Sequence, residues 1–145
     1  MRRDRLATAP LSVARLRDMG VALGAGVVHL PPAEHCPVRC TAEIIGVLAA
    51  ESAGRCGPCR FGLPALGAAV ARLAAGRADP SEVERLAALV TGRGACAHPD
   101  GTVRLVRSLL DVARDEVQNH AAGRCSYGAL ATPPVRELAG RREAS

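Results

Sequence analysis

Apolar residues recur at helical spacing through most of this chain. Ile44, Ile45 and Leu48 form one stripe, in a segment that Thr41 can cap and that runs to about Ser52. Leu63, Leu66, Val70, Leu73 and Ala74 share one face of a second helix, from about Phe61 to Ala75. Pro64 suits its first turn and Gly76 its C′ stop. Asp79-Pro80-Ser81-Glu82 opens a third helix with a capping residue, Pro at N1 and Glu at N3. Val83, Leu86, Ala87 and Val90 make its inner face, and Thr91 to Gly94 ends it. A fourth helix, capped by Asp100 or Thr102, continues to about His120. Val103, Val106, Leu109, Leu110, Ala113 and Val117 line one side, and Arg104, Arg107, Asp111, Arg114, Asp115 and Glu116 make a solvated face. Short connections between four amphipathic helices predict a mainly α fold, a four-helix up-down bundle. Ahead of it, Val21 to Leu30, with Val27-Val28, predicts a short N-terminal β segment that Pro31-Pro32 ends. His29 is then a strand residue rather than a ligand.

This patterning divides the chain into an N-terminal arm over 1–30, a helical domain over 31–122 and a C-terminal tail over 123–145. In the arm, Leu11 to Met19 predicts a short helix. Gly24 and Gly26 fall short of G-x-G-x-x-G and lack its βαβ setting, so no flavin- or NAD-binding loop is expected in this chain.

Composition narrows the function classes. One Phe, one Tyr and no Trp leave a core of Leu, Val, Ile and Ala. All 19 basic residues are Arg, and against 14 acidic residues the net charge is +5. There is no aromatic–basic platform for a single strand and no nucleic-acid motif, so no nucleic-acid partner is expected. The basic start lacks an apolar signal region, and no stretch approaches a bilayer span, so no membrane insertion is expected. The expected compartment is a reducing cytoplasm, where the six cysteines stay available as thiolates.

The candidate chemistry lies in Glu51 to Gly62, where Cys56-Gly-Pro-Cys59 aims two thiols at one spot around a tight turn. A turn that bares N–H groups suits an anionic metal–sulfur centre. Alone, Cys-x-x-Cys fits a redox disulfide, half a zinc site or part of an iron–sulfur site. Helices one and three both end at the cysteines, so alternation places Cys56, Cys59 and Cys96 at one end of the bundle. Helix one rises ~18 Å and helix four returns ~28 Å. Cys36 and Cys40, in the loop before helix one, and Cys125 therefore belong near the far end, with His35 and His120. There Cys125 is either idle, the simpler expectation, or part of a second thiol site.

The frame around the pair, Glu51, Ser52, Gly54, Cys56, Pro58, Cys59, Arg60 and Gly62, with Cys96 beyond, resembles the iron–sulfur segment of the 51 kDa flavoprotein, or F, subunit of NADH dehydrogenase. That family's pattern is Glu-Ser-Cys-Gly-x-Cys-x-Pro-Cys-Arg-x-Gly with a distant fourth cysteine. This chain has Ala53 in place of the first cysteine. The resemblance implies an electron-transfer domain holding a 4Fe-4S or 3Fe-4S iron–sulfur cluster through Cys56, Cys59 and Cys96, with Cys125 or His98 as candidates for the fourth corner. It implies a flavin-binding redox subunit or domain and an electron-acceptor protein as partners, at the periphery of a membrane complex, with no NADH oxidation by this chain alone. Residues 1–30 then resemble the tail of a ubiquitin-like domain. The competing expectation is a non-redox helical interaction module with a zinc-bound, disulfide or empty Cys turn.

Overall fold

The structure, a computed structural model, describes residues 12–20 and 29–130. The chain divides into two units, Met1–Ala33 and Glu34–Ser145. In the first, Ser12 caps helix α1 (Val13–Asp18), its side chain accepting from the Arg15 N–H at 3.2 Å. The expected β segment falls largely on residues 21–28, outside the described residues.

The second unit is mainly helical, and among the described residues there is no strand. Its elements are α2 (Pro37–Ala50), a π-helical turn (Pro58–Gly62), α3 (Leu63–Ala74), α4 (Pro80–Val90), α5 (Ala97–Val112) and α6 (Arg114–Ala121). Leu63, Leu66, Val70 and Leu73 are fully buried, and Val83, Ala87, Val90, Val103, Val106 and Val117 join them with Val38 and Ile45 in one core. With hardly an aromatic to fill space, this core depends on close approach of backbones. Gly62 is such a point, since a Cβ there would meet Val90 Cγ2 at 2.7 Å.

Three boundaries depart from the sequence expectation. Helix α2 starts at Pro37 with Cys36 as N-cap residue, and Thr41 is buried inside it. Pro37 explains the earlier start, because its fixed φ and missing N–H suit the first helical turn. Helix α5 begins after Cys96 rather than at Asp100 or Thr102. Asp100 instead accepts the Gly92 N–H at 2.8 Å, and the Thr102 hydroxyl donates to the His98 carbonyl at 3.1 Å. The long fourth helix is also broken at Ala113 (φ −108°, ψ 31°), which separates α5 from α6.

Two C-terminal caps organise the end of the unit remote from Cys56. Gly76 (φ +69°) and Gly123 (φ +71°) each close a Schellman turn, α3 through the Arg77 N–H to the Arg72 carbonyl and α6 through the Arg124 N–H to the Asn119 carbonyl, both at 2.8 Å. The two turns abut, since a Cβ on Gly76 would lie 3.1 Å from Gly123 Cα. Asp79 caps α4 as expected, accepting the Ser81 N–H at 2.8 Å.

Candidate metal centres

The end of α2 and the π-helical turn bring Cys56 and Cys59 together. Pro58 occupies the first position of the turn and removes a donor that the helix start would leave idle. Gly54 (φ +64°) reverses the chain just ahead of it. The N–H groups of Ala95 and Cys59 point at the Cys56 sulfur and hold its thiol below the usual range. Cys59 is buried, and desolvation raises its thiol; the Cys56 and Cys96 sulfurs add to that rise, and the Gly54 N–H opposes it. Cys96 thus lies close enough to Cys59 to act on it electrostatically. The paired Cys56 and Cys59 thiols, with the N–H groups of Gly54, Cys59 and Ala95 turned toward them, suit an anionic iron–sulfur group, whose sulfurs accept such bonds.

The rim of this site is open. Ala53 and Cys96 are exposed, as are Arg55, Arg60 and Arg93. The Arg60 guanidinium lies 5.8 Å from the centroid of Phe61, which is 71 % exposed. Ser52 Oγ donates to the Cys59 carbonyl at 3.4 Å, joining the helix end to the turn.

The candidates for a fourth ligand have other partners. His98 donates from Nε2 to the Leu48 carbonyl at 2.9 Å, tying the start of α5 to α2. Cys125 is held with Cys36, Glu116 and His120, with ligand atoms all within 4.8 Å of one another. Sequence reasoning places Cys36, Cys125 and His120 near one another and offers a second thiol site as the alternative to an idle Cys125, but it puts Glu116 on a solvated face, whereas Glu116 is 7 % and His120 0 % exposed. The available signal is spacing: Glu116 lies three residues after Ala113 and four before His120, beside the apolar stripe.

Hydrogen bonds hold this group tightly. His120 Nδ1 donates to the Ala74 carbonyl at 2.9 Å, and Nε2 lies 3.2 Å from Cys36 Sγ and 3.3 Å from Glu116 Oε1. Glu116 accepts the Ser126 N–H at 3.0 Å and the Asn119 amide at 3.3 Å. Burial alone would raise its carboxyl, but bonds from Ser126, Cys125 and Asn119 outweigh it and hold the pKa low. Burial pushes the Cys36 thiol up to about 11, against the N–H groups of Arg39 and Val38 at the start of α2. No disulfide links any of the six cysteines, all of which lie among the described residues.

A family model described as the NADH-ubiquinone oxidoreductase-F iron-sulfur binding region matches residues 39–120. The F subunit of NADH-quinone oxidoreductase from Streptomyces coelicolor is 30 % identical over 118 residues, which is 79 % of this chain and 26 % of that protein. The proteins of the same name from Mycobacterium bovis and Mycobacterium tuberculosis are 29 % identical over 117 residues, with the same coverage. The chain therefore spans about a quarter of the length of the curated relatives it matches.

Proposed function

Since the chain belongs to the family of NADH-ubiquinone oxidoreductase-F iron–sulfur binding regions, we propose that it holds an iron–sulfur cluster, 4Fe-4S or 3Fe-4S, on Cys56, Cys59 and Cys96. In this reading it is an electron-transfer domain. A flavin-binding subunit or domain would supply electrons, and an acceptor protein would take them. The observation that supports the reading is the Cys56–Cys59 pair, with the N–H groups of Gly54, Cys59 and Ala95 turned toward its sulfurs and Cys96 near enough to act on Cys59 electrostatically.

One-electron transfer is the chemistry that a bound cluster supplies. This chain's part is to hold and tune it. Inward N–H groups withdraw charge from the sulfurs, and the exposed Arg55, Arg60 and Arg93 add positive potential, so both favour the reduced state. The bond from His98 to Leu48 fixes the start of α5, and with it Cys96, against the end of α2. With His98 and Cys125 engaged elsewhere and Ala53 at the remaining corner, three protein thiolates would hold the cluster, enough for 3Fe-4S, and a 4Fe-4S cluster would take a small exogenous ligand as well. An up-down arrangement of α2, α3, α4 and the α5–α6 pair would bring Cys56, Cys59 and Cys96 to one end. The setting would be cytoplasmic, peripheral to a membrane complex; no helix among the described residues is long and apolar enough to cross a membrane.

Anaerobic reconstitution followed by iron and sulfide analysis tests the reading. Replacing Cys56, Cys59 or Cys96 by Ser is expected to remove most of the sulfur-to-iron absorbance. Full iron and sulfide in all three variants would overturn the ligand assignment. Zinc alone, or no metal, would favour a non-redox helical interaction module. Stoichiometric flavin in the purified chain would contradict the placement of flavin on a partner.

A further inference from the structure

We propose that Cys36, Glu116, His120 and Cys125 form a second metal site, for a single Zn2+ ion, at the end of the unit remote from Cys56. The 14-residue helix α2 separates the two sites, starting at Cys36 and ending near the Cys56 turn. At ~1.5 Å per residue it spans about 21 Å.

Geometry is the first argument. Tetrahedral zinc with Zn–S near 2.3 Å and Zn–N or Zn–O near 2.0–2.2 Å sets its ligand atoms roughly 3.3–3.8 Å apart. Here Cys36 Sγ lies 3.2 Å from His120 Nε2 and 3.8 Å from Glu116 Oε1, and Nε2 lies 3.3 Å from Oε1. Cys125 Sγ completes the set, with all four atoms within 4.8 Å of one another. Two thiols, one imidazole and one carboxylate are a donor set that zinc takes and that harder cations refuse.

The tautomer is the second argument. His120 donates its Nδ1–H to the Ala74 carbonyl, which leaves Nε2 as the nitrogen that faces the sulfur and the carboxylate and that can ligate through its lone pair once deprotonated. Metal-binding histidines are held this way, with the second nitrogen bonded to a backbone carbonyl. The thiol and the carboxylate sit on the same ring nitrogen, so the group is not a relay from acid through imidazole to thiol. A lone pair and a carboxylate oxygen 3.3 Å apart in a buried setting repel unless a proton or a cation lies between them. A zinc ion satisfies both at once, with the thiols giving their protons to solvent on binding.

The supporting shell is the third. The Schellman turn at Gly123 returns the chain so that Cys125 reaches the site. Ser126 and Asn119 hold Glu116, and Asn119 also donates to Ser126 Oγ at 2.9 Å. Ligands thus come from the N-cap of α2, from α6 and from the turn after it.

The test uses the full chain and a variant with Cys56, Cys59 and Cys96 all replaced by Ser, which leaves only the second site. Each is exposed to zinc, desalted and measured for zinc per chain, and each is titrated with Co2+ for tetrahedral thiolate bands. One zinc per chain and those bands are expected in the triple variant, and at least one zinc in the full chain, so the further substitutions are made in the triple variant. Cys125→Ser, at the edge of the site, should weaken zinc on the order of 100-fold, with helicity by circular dichroism unchanged. His120→Gln should do the same. If Cys36→Ser misfolds, Cys125→Ser decides. Zinc absent from the triple variant, or bound equally well by Cys125→Ser, would overturn the site and leave a proton-bridged cluster in its place. Iron and sulfide content, read separately in the parent chain, reports on the first site alone, so either reading can fail without the other.

Discussion

In the proposed cluster site, Ala53 stands where a fourth protein ligand would complete the centre. It is exposed, three residues before Cys56 and beside the reversal at Gly54. A thiolate there would occupy the corner that a small exogenous ligand otherwise fills. Ala53→Cys is therefore expected to raise iron per chain after reconstitution and to slow bleaching in air, both read by absorbance and metal analysis. No gain, with loss of the cluster in His98→Ala or Cys125→Ser, would place the open corner elsewhere. A second residue-scale effect concerns acid. Bonds from the Ser81 hydroxyl and N–H hold the Asp79 carboxyl below its usual range. Its contribution to stability is complete above the unfolded value of about 3.9 and fades as pH falls through the lower folded value. Asp79→Asn keeps a capping side chain but removes the proton, so its melting temperature should match the parent near neutrality and fall less steeply below about pH 4. Equal slopes would remove Asp79 from the acid response.

At the scale of elements, the close approach between the π-helical turn and α4 is open to test. Ala at position 62 would press its Cβ against Val90 Cγ2, part of a side chain with little freedom at χ1. Gly62→Ala should cost about 1–3 kcal/mol in chemical denaturation. Adding Val90→Ala should recover part of that, so the double variant falls short of the sum of the singles. Strict additivity would show that the contact is not what Gly62 protects. The same elements show what the sequence made legible. Helix α4 is announced by Asp79, Pro80 and a clean stripe, and α3 ends where Gly76 says it should, because each signal is local. The break at Ala113 carries no Gly or Pro, so continuous apolar spacing from Val103 to Val117 hid it. Thr41 drew the start of α2 away from Pro37 because a capping residue and a Pro at N1 are both strong starts, and burial of Val38 settled which one operates. The proximity of Cys96 to the Cys56–Cys59 turn was readable because these cysteines follow helix ends. The second thiol group was legible only as an alternative and without Glu116, because it depends on Gly123 turning the chain back onto α2, a tertiary event.

Across the whole unit, the two thiol groups sit at opposite ends of α2 and impose different constraints. The first gathers residues from a short turn and the start of α5, and its rim faces solvent. The second joins Cys36 to His120, separated by 84 positions, beneath two abutting helix caps. Closing a loop of that size costs roughly 4 kcal/mol of chain entropy, whereas α2 and α3 meet across only a short turn. Neighbouring helices are therefore expected to pair early, with the contact between the start of α2 and the end of α6 forming after the rate-limiting barrier. A perturbation there should leave the folding rate nearly untouched and fall on the unfolding rate. Gly123→Ala, whose Cβ meets nothing but whose φ of +71° is strained for alanine, should cost about 1 kcal/mol. In stopped-flow kinetics that loss is expected to steepen escape from the native state while refolding proceeds at the parent's speed. Slower refolding would mean that the ends meet first. With refolding at the parent's speed, the buried imidazole is a brake on how fast the protein comes apart, with little say in how fast it forms.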